Sequence, residues 1–196
     1  AQTTITLLGG GSPRPLESQL IVRAYTGQLN LDRVAPLFVG YGVDGQGRAA
    51  AEVAGRVVIM LAAEPARPGA PGLRARRDAL IAAGARGILV ALDDATPFAA
   101  VQRMFASGAP QLAGRNGSLE FDGMLSTEAA AALLAGPGVT AQDRLAAARH
   151  ADFQPIALDQ TVSIAAATDV RQFNSYNVIG RLPGRRSEGE AVLLTG

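Results

Sequence analysis

The sequence predicts a mixed α/β domain, and three observations predict it. Residues 57–62, VVIMLA, form a continuous apolar run, the pattern of a strand buried on both faces. Residues 88–92, ILVAL, form a second such run. Between them, residues 73–83 place Leu73, Leu80 and Ile81 on one side and arginines on the other, which is a helical period. Gly84 stands where a helix C-terminal cap belongs. Strand, helix and strand at this spacing make a βαβ unit, whose two strands run parallel with a right-handed crossover.

The other elements follow from local signals. Residues 3–8 read as a short strand, broken by the run Gly9-Gly10-Gly11-Ser12-Pro13. Residues 16–25, centred on Leu20, Ile21 and Val22, and residues 35–41 are further strands. Residues 64–72, rich in proline and glycine, are a loop. A second helix spans about residues 98–107. Asn116-Gly117 is a hairpin-type turn before a strand at 118–125. Ser126, followed by Thr127 and Glu128, caps an alanine-rich helix that ends at Gly136-Pro137-Gly138. Thr140 opens a helix over 141–150. Residues 161–167, 176–182 and 190–195 are strands, with a turn region at 183–189.

The chain has 196 residues, 48% of them hydrophobic, enough for one sizeable domain or for one domain and a fragment of another. It contains no cysteine, which excludes thiol catalysis and thiolate metal sites. All 18 basic residues are arginine, so lysine Schiff-base chemistry and the P-loop lysine are excluded too. A single histidine rules out a multi-histidine metal site within the chain. The arginines are scattered, the net charge is only +1 and aromatics make up 5%, which argues against a nucleic-acid partner. The longest strongly apolar run, residues 57–63, is far shorter than the ~20 residues that span a bilayer. The start, AQTTITLL, has neither the basic opening nor the long apolar region of a signal peptide.

The stretch GYGVDGQG raises a specific question. Gly40, Gly42 and Gly45 match G-x-G-x-x-G, an apolar run precedes them, and Glu64 follows 19 positions after Gly45, as in a dinucleotide-binding fingerprint. Such a site needs a helix of about ten residues directly after the glycines, because the helix N-terminus holds the pyrophosphate. Here the chain offers only residues 49–54 as a helix before Gly55, under two turns, and two or three strands precede a unit that normally starts the sheet. Asp44-Gly45 is a turn pair in its own right. The glycines therefore read as turn residues, and no NAD or FAD is expected.

Three acids are candidate metal ligands. Glu64, Asp93 and Asp94 lie just past the C-terminal ends of two strands expected to be adjacent and parallel, the edge where open α/β sheets bind ligands. A hard cation such as Mg²⁺ would suit their oxygens, although solvated loop acids explain them as well. His150, beside Arg149 at a helix end, suits the helix dipole there, and no motif supplies it with a catalytic partner, although Asp152 is close in sequence. There is no G-x-S-x-G elbow. Asn116-Gly117-Ser118 matches a glycosylation sequon, but a turn needs no such role.

Longer patterns carry a family resemblance. APLFVGYGV is followed by VAGRVVIML and, after a basic helix, by AAGARGILVAL. Val53, Gly55, Arg56, Val57, Val58 and Met60, then Gly84, Ala85, Gly87, Ile88, Leu89 and Val90, resemble the motifs of a protease-associated domain in order and spacing. FNSYNVIGRLPG (residues 173–184) and EAVLLTG (residues 190–196) resemble the first two strands of the catalytic domain in bacterial zinc aminopeptidases, relatives of glutamate carboxypeptidase and the transferrin receptor. The resemblance implies a swivelling β/β/α fold with a barrel- or sandwich-like β core and flanking helices. It implies a protease-associated domain over residues 1–168 and the first two strands of a peptidase domain over 169–196. It implies a periplasmic or secreted hydrolase as parent, with two zinc ions in the catalytic domain. This chain would then be no enzyme itself: it would shape access for peptide or protein substrates, packed on its own catalytic domain. A stand-alone binding or sorting module with no peptidase attached is the alternative, and an independent enzyme working at the Glu64/Asp93/Asp94 edge is a third reading.

The segments 176–182 and 190–195 are two apolar strands joined by a polar turn. A lone hairpin cannot bury such faces, so more sheet or a second copy of the chain is expected to cover them. In the parent gene, a histidine, one residue and an aspartate are expected directly after Gly196. Sequencing past that codon tests this, and a continuation without His-x-Asp would remove the peptidase assignment.

Overall fold

The computed structural model describes residues 2–8, 14–16, 18–66, 68–106, 114, 116–150, 152–176 and 180. In chain order its elements are β1 (Gln2–Leu8), β2 (Arg14–Pro15), β3 (Leu20–Ala24), β4 (Gln28–Val34), β5 (Leu37–Phe38), a 3₁₀ turn (Ala51–Val53), β6 (Val57–Leu61), α1 (Leu73–Ala82), β7 (Gly87–Ala91), α2 (Phe98–Ala106), β8 (Phe121–Leu125), α3 (Thr127–Leu134), α4 (Ala141–Ala147), β9 (Ile156–Ala157) and β10 (Thr161–Ala167). The fold is mixed α/β. A six-stranded sheet has the order β3-β8-β7-β6-β5-β9, and a four-stranded sheet the order β2-β1-β10-β4.

In the larger sheet β5, β6, β7 and β8 are parallel neighbours, and β3 and β9 add antiparallel edges. The smaller sheet is antiparallel throughout. The βαβ reading is correct: β6 and β7 pair in parallel from Val57↔Gly87 to Leu61↔Ala91, with α1 between them in sequence. Strands β6 and β7 are fully buried because both faces of the larger sheet are covered. Val57, Ile59 and Leu61 face one core, shared with Leu29 and Leu31 of β4, Val162 and Ile164 of β10, and Leu133 and Leu134 of α3. Val58 and Met60 face the other core with Leu80 of α1 and Ile88 and Val90 of β7. A strand's period of two sends successive side chains to opposite faces, so an unbroken apolar run is what a doubly covered strand requires. Each such Val, Leu or Ile stabilises the fold by about 1.5–3 kcal/mol relative to exposure.

Several expectations need correction. Of the barrel- or sandwich-like β core expected, the described residues form two open sheets sharing one core, and no closed barrel. The strand expected at 16–25 is only Leu20–Ala24; just before it, Gln19 N–H donates to Leu16 O. The strand expected at 35–41 shrinks to Leu37–Phe38, since positive φ at Gly40 ends it. A strand that the sequence reading lacks, Gln28–Val34, precedes it; its polar Gln28, Asn30 and Asp32 alternate with buried Leu29 and Leu31. Asn116-Gly117 is a turn but not a hairpin, because the strand after it, β8, runs parallel to β7. The helix after Thr140 stops at Ala147, so His150 lies in the turn beyond it. Ser126 does cap α3, accepting the Ala129 N–H at 3.2 Å, and Thr140 with Asp143 forms a capping box on α4. The expected strand at 190–195, and 177–179 and 181–182 of the one at 176–182, lie outside the described residues.

Close approach at the β3–β8 contact depends on one missing side chain. A Cβ on Gly123 would run into the backbone oxygen of Ile21 and come within 3.0 Å of Leu89 Cδ2. Backbone in a sheet cannot step aside cheaply. Gly123→Ala is expected to destabilise by about 2 kcal/mol, as overpacking typically does, read as a lower urea midpoint at an unchanged slope. A wild-type midpoint would overturn this packing account.

Candidate functional site

The glycine stretch sits at the C-terminal edge of the larger sheet. After β5 the chain stays beside β6 for two more hydrogen bonds, Val39 N–H to Ile59 O (2.9 Å) and Leu61 N–H to Gly40 O (2.8 Å). It then turns at Gly40 (φ +55°) and Gly42 (φ +87°). Side chains are excluded there twice over: a Cβ on Gly40 would lie 3.0 Å from the Phe153 ring, and one on Gly42 3.1 Å from Leu80 Cδ1. Asp44 then closes its own turn, accepting the N–H of Gln46 (2.8 Å) and of Arg48 (2.9 Å). The Arg48 N–H is the chief reason its carboxyl is held below the usual carboxylate range; desolvation opposes it, and the Gln46 N–H adds to it. Between Gly45 and β6 the described helical residues are the single 3₁₀ turn Ala51–Val53. No helix N-terminus faces the glycines from that segment, and they serve to turn the chain.

What occupies the space beside them is an arginine. Arg76, in the first turns of α1, has no exposed surface. Its Nη1 donates to the carbonyls of Tyr41 (3.1 Å) and Leu61 (2.9 Å), and its Nη2 to those of Ala62 and Ala63 (both 3.0 Å). Its Cζ lies 5.8 Å from the centre of the Tyr41 ring. Burial lowers the Arg76 pKa from its ordinary value, while the charge of Glu64 and then Tyr41 push it back up. A guanidinium nevertheless stays charged at any pH a cell offers. The expectation that the arginines of α1 lie on its outer side fails at this residue. The signal was present, since Leu73, Arg76 and Leu80 stand at i, i+3 and i+7, the buried stripe of a helix.

The three candidate ligands are placed as expected, past the ends of β6 and β7, which are adjacent and parallel. Glu64 is exposed and leans toward the start of α1: its Oε1 would be 3.7 Å from a Cβ on Gly72. Asp93 is half-buried, with one carboxylate oxygen enclosed and without a hydrogen-bond partner, and Asp94 is exposed. Among the described residues no three His, Asp or Glu side chains stand close enough to hold a metal ion together. His150 is exposed, and its carbonyl accepts the Phe153 N–H at 3.2 Å.

A second polar cluster was not foreseen. Asp122 on β8 is 8% exposed; its Oδ2 accepts from Tyr25 Oη and from Arg77 Nη2, each at 2.7 Å, and Arg77 Nη2 also reaches Tyr25 Oη at 3.0 Å. Strand β8, the end of β3 and α1 are thereby tied together. The clue is an aspartate between Phe121 and Gly123 in an apolar strand, and its partners are 45 and 97 positions away. Arg144 of α4, 7% exposed, likewise pairs with Asp159 at 3.1 Å.

These groups bind backbone and one another, and none pairs a nucleophile with a base. Arg76→Ala would strip donors from four carbonyls and open a cavity; a loss of about 3 kcal/mol is expected, from unsatisfied acceptors costing ~1–3 kcal/mol each, offset by water entry. Arg76→Lys should recover only part of it, because an ammonium cannot span four acceptors as a planar fork does. Chemical denaturation of both variants measures this, and equal stability of lysine and wild type would refute the fork geometry. No protein-family model matches this chain, and no curated protein matches it.

Proposed function

We propose that this chain is a non-catalytic protease-associated domain of a zinc-dependent aminopeptidase, shaping substrate access to a catalytic domain in the same polypeptide. The observation that carries the reading is that the motif residues of the resemblance meet in space. The turn before β6 and the turn before β7 are bonded to each other: Gly55 N–H donates to Gly84 O (2.8 Å) and Arg86 N–H to Arg56 O (2.9 Å). Gly55 and Gly84 both have positive φ, +69° and +86°, so V-x-G-R and G-A-x-G form one paired corner under two parallel strands. Positions chosen by a family pattern and found to hold a shared corner support that pattern more than their spacing alone.

The division after residue 168 has support as well. Thr168 N–H donates to Gly27 O at 3.0 Å, the last backbone tie of the smaller sheet among the described residues. Beyond it, residues 169–176 carry exposed Val170, Phe173 and Tyr176 on an irregular path. Apolar side chains left on the surface in this way suit a segment that enters another domain. The zinc ions belong to that second domain, where two metals would activate a bridging water.

The purified chain is expected to release no amino acid from aminoacyl or peptide substrates, with or without added zinc. Robust zinc-dependent turnover by this chain would overturn the reading. In the product of the whole gene, zinc-dependent aminopeptidase activity is expected, and a full-length product without it would leave the binding-module reading in front.

A further inference from the structure

We propose that Asn116 is a self-modifying position, converted through a cyclic imide with Gly117 into aspartate and isoaspartate. Asn116, Gly117 and Ser118 form the turn that leads into β8, with Leu119 N–H donating to Asn116 O at 2.9 Å. Gly117 is exposed and has φ +54°. Gly117 carries no side chain that would hinder attack of its nitrogen on the neighbouring amide carbon. The fold also fixes this glycine in place. A Cβ there would lie 3.3 Å from Ile81 Cγ2, in a left-handed backbone that side chains resist. Asn-Gly is favoured for tight turns, so the geometry that makes the turn also retains the most reactive pairing an asparagine can have.

The other described asparagines are followed by residues that carry side chains. Asn30 lies within β4, paired with Ala165 of β10, and is followed by buried Leu31. Asn174 is exposed, but its successor Ser175 carries a side chain that hinders attack. The chemistry needs only water. The Gly117 nitrogen gives up its proton and bonds to Asn116 Cγ; the Cγ–Nδ2 bond breaks and the nitrogen leaves as ammonia. Water then opens the ring at either carbonyl, giving aspartate or, with the main chain rerouted through the side chain, isoaspartate. One amide becomes one carboxylate, and the formal net charge of the chain falls from +1 to zero.

The new charge appears one residue before a contact with α1, since a Cβ on Gly117 would lie 3.9 Å from Ile81 O. Gly117 and Ser118 share a surface groove with Asp78, Ile81 and Gly84, at the C-terminal end of α1. Helix carbonyls there already present partial negative charge, so another anion is unfavourable. Modification at Asn116 therefore weakens the docking of α1, and Asn116 acts as an age marker for the fold.

The test is to hold the folded chain in mildly alkaline buffer at physiological temperature and map peptides over time. The Asn116 peptide is expected to gain one dalton and become a substrate for an isoaspartate methyltransferase several-fold sooner than the Asn30 or Asn174 peptides. A more acidic band should grow in parallel, with a melting temperature lower by about 2 °C. Asn116→Gln, which keeps Gly117, should fold normally and lack the early acidic band. Two results would overturn the proposal: Asn174 converting first, or Asn116 converting in urea while remaining intact in the folded chain.

Discussion

A guanidinium with no exposed surface must find acceptors within the protein, and Arg76 finds four in two separate stretches of backbone. Three belong to the end of β6 and the residues after it; the fourth belongs to the glycine turn after β5. These carbonyls lie beyond the last ladder bonds of their strands, where no neighbouring strand satisfies them. Arg76 takes the place that a further strand or water would fill. It also fixes α1 against the sheet edge, because its own N–H bonds to Gly72 O in the first helical turn at 3.1 Å. The glycines at 40 and 42 are the other half of this arrangement: they bring the Tyr41 carbonyl round to the arginine while Leu80 and Phe153 close over them.

The two ends of the parallel strands are held by different means. At the C-terminal edge side-chain charge does the work, through Arg76. At the N-terminal edge the backbone suffices, because Gly55 and Gly84 let two turns approach closely enough to bond directly. The paired corner lies at the opposite end of β6 and β7 from Glu64, Asp93 and Asp94.

Charge inside this fold is used to fasten elements to one another. Asp122 with Tyr25 and Arg77 joins β8, β3 and α1, and Arg144 with Asp159 joins α4 to the segment before β10. Gly136 has no side chain because a Cβ there would meet the Asp159 carboxylate at 2.6 Å and the Arg144 guanidinium at 2.9 Å. Such pairs add little net stability once desolvation is counted, yet removing one partner leaves a buried charge, so they specify which elements meet. All of these cations are arginine, whose flat fork holds several acceptors at fixed angles.

The sequence by itself determined the elements whose signals are local. Residues 57–61 and 87–91 are strands because an unbroken apolar run has no other burial with period two, and Ser126 and Thr140 start helices because their oxygens satisfy nearby N–H groups. It also determined that Gly40 to Gly45 would turn, since no helix of sufficient length follows. Its local signal for Gln28–Val34 was short: Gln28, Asn30 and Asp32 alternate with Leu29 and Leu31, the pattern of a half-buried strand, and β10, some 130 positions later, supplies the hydrogen bonds. The two-sheet layering was hidden, because the face a strand presents depends on what lies across from it. The largest surprise, Arg76, was spaced as a core residue but has the chemistry of a surface one. Only the tertiary structure could decide between these, because the decision rests on four carbonyls contributed by other segments, and no local window of sequence contains them.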